Sequence, residues 1–156
     1  MQDETLELSV TRLIDAPVAT VWKIATERLA EWWCPKPRTV EIVEQDWRAG
    51  GRSALVMRGP SGEEMPQEGV LLEVSPGKRF VFTDALTASW HPQGPFMVGT
   101  IEFADEGGKT RYTASARHWT TEAYDRHKAM GFEQGWAAVA EQLAALAEAE
   151  TRTPGS

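Results

Sequence analysis

Acid–base chemistry in this chain would centre on His118 and Tyr112, which fall on the same face of a segment that alternates like a strand. Histidine changes its charge near neutral pH and can therefore take or give a proton during a reaction. The other ionisable residues that could take part in such chemistry are Glu68, Asp84 and Arg117. No carboxylate shares that strand face with His118 and Tyr112, so the sequence indicates no complete catalytic constellation.

The face that carries these two groups is predicted to point into the protein. Ala114 and Ala116 lie between them at alternate positions, and such small side chains suit a place beneath a bulky helix. Phe132 and Trp136 supply that bulk on the segment that follows. Two interpretations remain for the histidine, which ends its strand beside Trp119: a base at the mouth of a cavity, or a strand end hydrogen-bonded to backbone.

A pocket for an apolar ligand is the second chemical interpretation, because it needs only apolar bulk and a few polar anchors. The predicted ligand-binding residues are Trp33, Met57, Phe82, Trp90, His91, Phe96, Tyr112, His118, Trp119, Phe132, Trp136 and Val139. Aromatic residues at such spacings more often form an ordinary core. The cavity interpretation rests on two glycines in the C-terminal helix and on the irregular loop 87–95, which carries Trp90 and His91.

No metal or cofactor site is predicted. The three histidines, His91, His118 and His127, are separated by 27 and 9 residues, which matches no compact set of metal ligands. The single cysteine, Cys34, lies far from them in the sequence. We therefore expect the chain to act without a bound metal or cofactor.

These groups must be positioned by a sheet and a helix. The patterns predict one strand, two short helices, six strands joined by short turns, and one long helix. Short connections favour antiparallel neighbours, and a twisted sheet beside one amphipathic helix curls round it. The predicted fold class is therefore α+β, with a seven-stranded curved antiparallel sheet wrapped round a long C-terminal helix and two short helices after the first strand.

The long helix is predicted over 121–147, with Thr121 as its N-cap. Its apolar residues recur at the helical period, at Phe132, Trp136, Val139, Leu143 and Leu146. Gly131 and Gly135 interrupt this helix at a cost of about 1 kcal/mol each relative to alanine. Either tight packing on the sheet or room for a guest molecule would account for them.

Composition narrows the class of protein. The chain has 156 residues and a net charge of −7 without a basic cluster, so nucleic acid and anionic membrane surfaces are not expected as partners. One cysteine, no secretory leader pattern and no long apolar run predict a cytoplasmic protein without membrane insertion. We expect a single domain over residues 1–150 and a flexible tail over 151–156.

Four short motifs give the chain a family resemblance. They are Asp15-Ala16-Pro17 with Val21-Trp22, Glu31-Trp32-Trp33-Cys34-Pro35, Asp46-x-Arg48-x-Gly50-Gly51, and Gly131-Phe132-Glu133-Gln134-Gly135-Trp136. Together they resemble the family named for the activator of Hsp90 ATPase homologue 1, within the START-like (SRPBCC, Bet v 1-like) superfamily. The resemblance covers about residues 6–146 and implies a helix-grip fold, with a cavity between the sheet and the C-terminal helix.

Three functions follow as hypotheses. The first is binding of a hydrophobic small molecule, lipid-like or aromatic, in that cavity, with His118, Tyr112 and Trp90 orienting it. The second is a cyclase or hydrolase that uses the same cavity. The third, which the family name suggests, is a module that binds the Hsp90 chaperone, although the acidic chain gives it no chemical support. The sequence also leaves homodimer formation open.

Overall fold

Seven antiparallel strands form one sheet, in the order β1-β7-β6-β5-β4-β3-β2. The computed structural model describes residues 6–34, 36–87, 90, 92–93 and 97–152. The strands are β1 (Glu7–Ile14), β2 (Thr39–Gln45), β3 (Arg52–Arg58), β4 (Glu64–Ser75), β5 (Arg79–Thr83), β6 (Met97–Glu106) and β7 (Lys109–His118). Strands β2 to β7 follow one another as neighbours, and β1 pairs with β7, so the predicted seven-stranded antiparallel sheet is confirmed.

The sheet curves, and irregular pairing helps it to do so. The register shifts between Ile42 and Glu44 where β2 pairs with β3, and between Leu71 and Glu73 where β4 pairs with β5. An extra residue in one strand increases the local twist and bends the strand. The concave side of the curved sheet faces the helices.

The boundaries of β4 and β5 differ from the sequence prediction. Strand β4 begins at Glu64 instead of the predicted Gln67, although it contains Pro66. The proline is tolerated because β5 pairs with β4 only from Val70 onwards, so no neighbour on that side needs its missing N–H. Strand β5 ends at Thr83, whereas Leu86 forms only an isolated bridge.

In the described part of the chain, three α-helices and one 3-10 helix cover the sheet. They are α1 (Val18–Glu27), the 3-10 helix (Leu29–Glu31), α2 (Thr121–Ala129) and α3 (Phe132–Arg152). The prediction of two short helices after the first strand is confirmed. Helix α3 continues to Arg152, so the first two residues of the predicted tail are helical, and residues 153–156 lie outside the described part of the chain.

The prediction of one unbroken helix over 121–147 is wrong. Helix α2 ends at Ala129, and the chain turns at Met130 and Gly131 before α3 begins. Gly131 has a φ of 89°, a conformation that side chains with a Cβ atom rarely adopt, and its carbonyl accepts the hydrogen bond from the Gly135 N–H at 2.8 Å. The glycine therefore separates two helices where a single helix had been expected.

The N-cap of α2 is also one residue earlier than predicted. The Thr120 hydroxyl oxygen accepts a hydrogen bond from the Ala123 N–H at 3.0 Å, which satisfies one of the unpaired donors of the first turn. Thr121 is instead the first residue of the helix.

Helix α3 packs on β1 and α1 through the C-terminal half of its apolar stripe. Leu143, Ala144 and Ala147 are fully buried, and Val139 and Ala140 nearly so. Full burial of a leucine-sized side chain contributes about 1.5–3 kcal/mol, so this half of the helix is anchored strongly. None of the described helices is both long and apolar enough to cross a membrane.

The connection between the 3-10 helix and β2 is fastened to α3 by hydrogen bonds. The Gln142 amide nitrogen donates to the carbonyls of Trp32 (3.1 Å) and Cys34 (3.0 Å), and its amide oxygen accepts from the Lys36 N–H (3.0 Å). The buried indole of Trp32 donates in turn to the Ala25 carbonyl of α1 at 3.1 Å. These bonds position the neighbouring Trp33 at the edge of a cavity between the sheet and α3.

Candidate ligand-binding cavity

A cavity of about 440 Å³ lies between the inner face of β2–β7 and the first turns of α3. Small-molecule sites have volumes of about 300–1,000 Å³, so this cavity falls within that range. Its floor is formed by inward-facing residues of alternating strand positions, such as Ser53, Leu55 and Met57 on β3. Its roof is formed by α3, with Phe132, Trp136 and Val139 and the connection from α2. The cavity therefore occupies the part of the concave sheet that the C-terminal half of α3 leaves uncovered.

Aromatic rings make up much of the wall. The rings of Trp47 and Phe80 meet edge to face at a centroid distance of 4.9 Å, and those of Trp33 and Phe82 at 5.5 Å. The Phe82 ring also lies directly over Gly99 of β6, where a side chain would overlap it. Such a wall offers apolar area with a fixed shape, because the packed rings hold one another in place.

Methionines supply the flexible part of the wall. Met57 and Met65 are paired across β3 and β4, and Met97 and Met130 line other parts of the same cavity. Methionine side chains are unbranched and polarisable, so they adapt to irregular apolar shapes. A wall with both rigid rings and adaptable thioethers can accept ligands of related but unequal shape.

The break between α2 and α3 forms one side of the opening. Gly131 and Gly135 both line the cavity, and the Met130 side chain beside them is 68% exposed. Tight packing on the sheet and room for a guest molecule were the two interpretations of this glycine pair, and both glycines line the cavity. Arg38 and Gln67 are also exposed lining residues, so the opening has a polar rim.

Tyr112 is a polar residue of the cavity lining. The residue is fully buried on β7, and its ring packs edge to face against Trp32 at 6.2 Å and Phe103 at 5.9 Å. Its hydroxyl has no hydrogen-bond partner among the described residues. Burial raises the pKa of Tyr112 above its ordinary value, so the hydroxyl stays protonated at neutral pH.

Two histidines form a hydrogen-bonded pair at another part of the wall. Nε2 of His118 lies 2.8 Å from Nδ1 of His127, and Nδ1 of His118 lies 3.0 Å from the Leu6 carbonyl oxygen. His127 lines the cavity, whereas His118 lies behind it. Burial, with a smaller contribution from His118, lowers the pKa of His127 to about 4, so the ring is neutral at pH 7.

The predicted binding residues divide into three groups. The cavity is lined by Trp33, Met57, Phe82, Tyr112, Phe132, Trp136 and Val139. Trp90 and Trp119 are 59% and 50% exposed and lie outside the lining, as does the buried His118. Trp90 instead packs against Gly50. His91 and Phe96 lie outside the described residues.

Several lining residues were missed by the sequence analysis. His127 was considered only as a metal ligand, because a lone histidine on a helix gives no sign of the strand that it will face. Trp47, Leu71 and Phe80 were left out as well. Phe80 and the predicted Phe82 alternate on β5, and this period of two was the available signal.

The charged candidates for catalysis, Glu68, Asp84 and Arg117, have structural partners. The Glu68 carboxylate accepts hydrogen bonds from the Arg52 guanidinium at 2.8 and 3.1 Å, which holds the pKa of Glu68 below its ordinary value. The Asp84 carboxylate lies 3.3 Å from the Met97 N–H, and Arg117 is an exposed residue 3.5 Å from Glu7. Within the described ranges, no group of three or more histidine, cysteine or acidic residues is placed to hold a metal.

Residues 15–148 match the model of the family described as activator of Hsp90 ATPase homolog 1-like protein. The chain belongs to this family. No curated protein matches the sequence.

Solved structures of similar proteins agree with this family assignment. A Nitrosomonas europaea protein of known crystal structure has 36% sequence identity to this chain and a TM-score of 0.87. The alignment covers 97% of this chain and 100% of the Nitrosomonas chain. A Mycobacterium smegmatis protein has 28% sequence identity and a TM-score of 0.77, and the alignment covers 91% of this chain and 90% of the Mycobacterium chain. An Aeromonas hydrophila protein of the same family has 17% sequence identity and a TM-score of 0.70, and the alignment covers 96% of this chain and 97% of the Aeromonas chain. At this identity the likeness supports the fold alone.

Proposed function

We propose that this member of the activator of Hsp90 ATPase homolog 1-like family binds an apolar small molecule in the cavity between the sheet and α3. The observation that carries the proposal is an open space of about 440 Å³ with an aromatic and methionine wall, beside a core of fully buried residues. A space of this kind is unfavourable when empty, because its lining loses the contacts that a filled core would provide. An apolar ligand restores those contacts.

The expected affinity follows from the area that a ligand can bury. Burial of about 250 Å² of ligand surface, at about 25 cal/mol per Å², contributes roughly 6 kcal/mol before the costs of association. Polar groups at the rim, such as Arg38 and Gln67, leave room for a polar end on the ligand. The histidine that lines the cavity, His127, is hydrogen-bonded to His118 at 2.8 Å, and the carboxylates of Glu68 and Asp84 accept hydrogen bonds from Arg52 and from the Met97 N–H. Ligand binding is therefore better supported than catalysis.

The chaperone hypothesis has less support. It predicts a basic or apolar patch on the outer face of the sheet. On that face the guanidinium of Arg52 is shared between Glu44 and Glu68, and that of Arg79 between Glu73 and Glu102. The charges of Arg52 and Arg79 are neutralised by carboxylates of the same chain, so these two arginines do not form a basic patch that a partner could bind.

A titration with the fluorescent ketone 6-propionyl-2-(dimethylamino)naphthalene tests the proposal. We expect wild-type protein to bind it with a dissociation constant no tighter than about 40 μM, the value that corresponds to 6 kcal/mol, and to be stabilised against heat by it. In Met57→Trp, the larger ring occupies the cavity, so the affinity should fall by about tenfold or more, which corresponds to 1.4 kcal/mol. Val56→Trp is the matched control, because Val56 is adjacent on β3 and faces the opposite side of the sheet.

Two outcomes would contradict the proposal. In the first, neither this ketone nor any member of a panel of fatty acids, sterols and aromatic hydrocarbons binds to the wild-type protein. The other is equal binding by Met57→Trp and Val56→Trp, which would locate the probe outside the cavity.

A further inference from the structure

The hydroxyl of Tyr112 is the starting point of this inference. Among the described residues it is the buried side-chain oxygen without a hydrogen-bond partner. The other buried polar atom recorded without one, Nε of Arg12, still lies 2.9 Å from the Glu141 carboxylate. The tyrosine therefore differs from every other buried polar side chain that the structure describes.

Packing alone does not require a hydroxyl at this position. The contacts of the Tyr112 ring with Trp32 and Phe103 are edge-to-face contacts between rings, which a phenylalanine would make equally well. The hydroxyl gives up its hydrogen bonds to water on burial and gains none from the protein, which lowers the stability of the folded state. Among the described groups, the missing partner is not supplied by any neighbouring strand or helix.

The location of the residue points to a partner from outside the chain. Tyr112 lines the ligand cavity, at the end of its strand face away from the pair of histidines. His118 is six positions further along β7, a distance of roughly 20 Å in an extended strand. Because His127 lies beside His118 and also lines the cavity, a ligand that fills the cavity meets Tyr112 at one end and His127 at the other.

We propose that the Tyr112 hydroxyl donates a hydrogen bond to an oxygen of the bound ligand, so that the ligand class is an apolar compound with a carbonyl, ester or ether oxygen at the end that meets Tyr112. This inference rests on the proposed function and narrows it. A pure hydrocarbon would fill the same space but leave the hydroxyl without a partner. The cavity thus discriminates between ligands of equal shape by one hydrogen bond.

The experiment compares two probes on three proteins. The probes are 6-propionyl-2-(dimethylamino)naphthalene and its analogue with a propyl group, in which a methylene replaces the carbonyl. The proteins are wild type, Tyr112→Phe and Tyr124→Phe. Tyr124 is the second of the two tyrosines and lies on α2, where its ring packs against His118, outside the cavity lining. Tyr124→Phe therefore controls for the loss of a phenolic hydroxyl elsewhere.

The expected results separate a ligand-binding hydroxyl from a merely structural one. Tyr112→Phe should weaken binding of the ketone by about 2- to 12-fold, the value of one neutral hydrogen bond. Binding of the propyl analogue should be unchanged or stronger. The emission of the bound ketone, which moves to the red when its carbonyl accepts a hydrogen bond, should move to the blue in Tyr112→Phe alone. The ligand-free Tyr112→Phe protein should melt at an equal or higher temperature than wild type.

Other results would overturn the inference. If both probes bind wild type and Tyr112→Phe with the same ratio of affinities and the emission does not move, the hydroxyl does not contact the ketone, while the cavity function stands. A clear fall in the melting temperature of ligand-free Tyr112→Phe would show that the hydroxyl has a structural partner. If neither probe binds wild type, the inference and the proposed function fail together.

Discussion

Nε2 of His118 lies 2.8 Å from Nδ1 of His127, and the contact of His118 with the Leu6 carbonyl fixes which atom of this pair carries the proton. A carbonyl oxygen can only accept, so Nδ1 of His118 must be the protonated nitrogen. When the His118 ring carries this one proton, its Nε2 is an acceptor and Nδ1 of His127 is the donor. The hydrogen-bond chain thus runs from His127 through His118 to Leu6.

The first prediction concerns the dependence of stability on pH. His127 has a folded pKa of about 4, and a histidine in an unfolded chain titrates near 6.5. Between these values the unfolded chain binds more protons than the folded one, so the free energy of unfolding falls as the pH decreases from 6.5 to 4. The slope contributed by one group is at most about 1.4 kcal/mol per pH unit. The rings packed against it include His118 from β7 and Phe132 and Trp136 from α3.

Urea unfolding at pH 7.5, 6.5, 5.5 and 4.5, followed by tryptophan fluorescence, measures this slope. His127→Asn is the informative variant, because its amide nitrogen can take the place of Nδ1 as donor to His118 but does not titrate. Carboxylates contribute to acid unfolding in both proteins, so the difference between the two curves isolates the histidine. Parallel curves between pH 6.5 and 4.5 would show that His127 is not buried as a neutral ring.

The C-terminal segment shows what the sequence could and could not predict. The apolar repeat at Trp136, Val139 and Leu143 made the helix predictable, since a period of 3.6 is a local property. The break at Gly131 was not predicted, because a glycine in a helix and a glycine that ends one look alike in the sequence. Its φ of 89° depends on where α2 and α3 must lie on the sheet, which is a tertiary property.

The candidate site was predictable to the extent that it follows from strand alternation. Tyr112 was placed inside because it shares a face with Ala114 and Ala116, and all three are fully buried. Trp119 was placed in the pocket as one of the aromatic residues, yet it lies just after the end of β7, where alternation no longer applies, and is half exposed. The pair of histidines joins β7 to α2, and a contact between separate elements leaves no periodic signal.

The second prediction contrasts the two glycines of the helix break. Gly131→Ala places a Cβ atom in the left-handed region and should lower the free energy of unfolding by about 1–2 kcal/mol. Gly135 lies within α3, where alanine is favoured over glycine by up to about 1 kcal/mol. Because Gly135 also lines the cavity, Gly135→Ala should bind the naphthalene ketone more weakly without loss of stability. Urea unfolding and probe titration of both variants check this, and equal effects on both properties would refute it.

The third prediction concerns the hydrogen bonds that attach residues 32–36 to α3. Gln142→Ala removes the two bonds donated to Trp32 and Cys34 and the one accepted from Lys36, and should lower the free energy of unfolding by about 1–3 kcal/mol. Gln134→Ala is the control, because Gln134 is an exposed glutamine of the same helix and its removal should change stability by less than about 0.5 kcal/mol. Equal urea midpoints for the two variants would mean that the connection is held by other contacts.

The fourth prediction couples Phe82 to Gly99. A methyl group on Gly99 would overlap the Phe82 ring, so Gly99→Ala must push the ring towards the cavity or move the strand backbone. Overpacking of this kind costs about 1–3 kcal/mol, and the displaced ring should also weaken binding of the naphthalene ketone. Phe82→Leu removes the obstructing part of the ring and should restore much of the stability of Gly99→Ala, giving a coupling energy of about 0.5–3 kcal/mol in a double-mutant cycle. If the two substitutions are additive in urea unfolding, the ring does not lie over the glycine, and the shape assigned to this side of the cavity is incorrect.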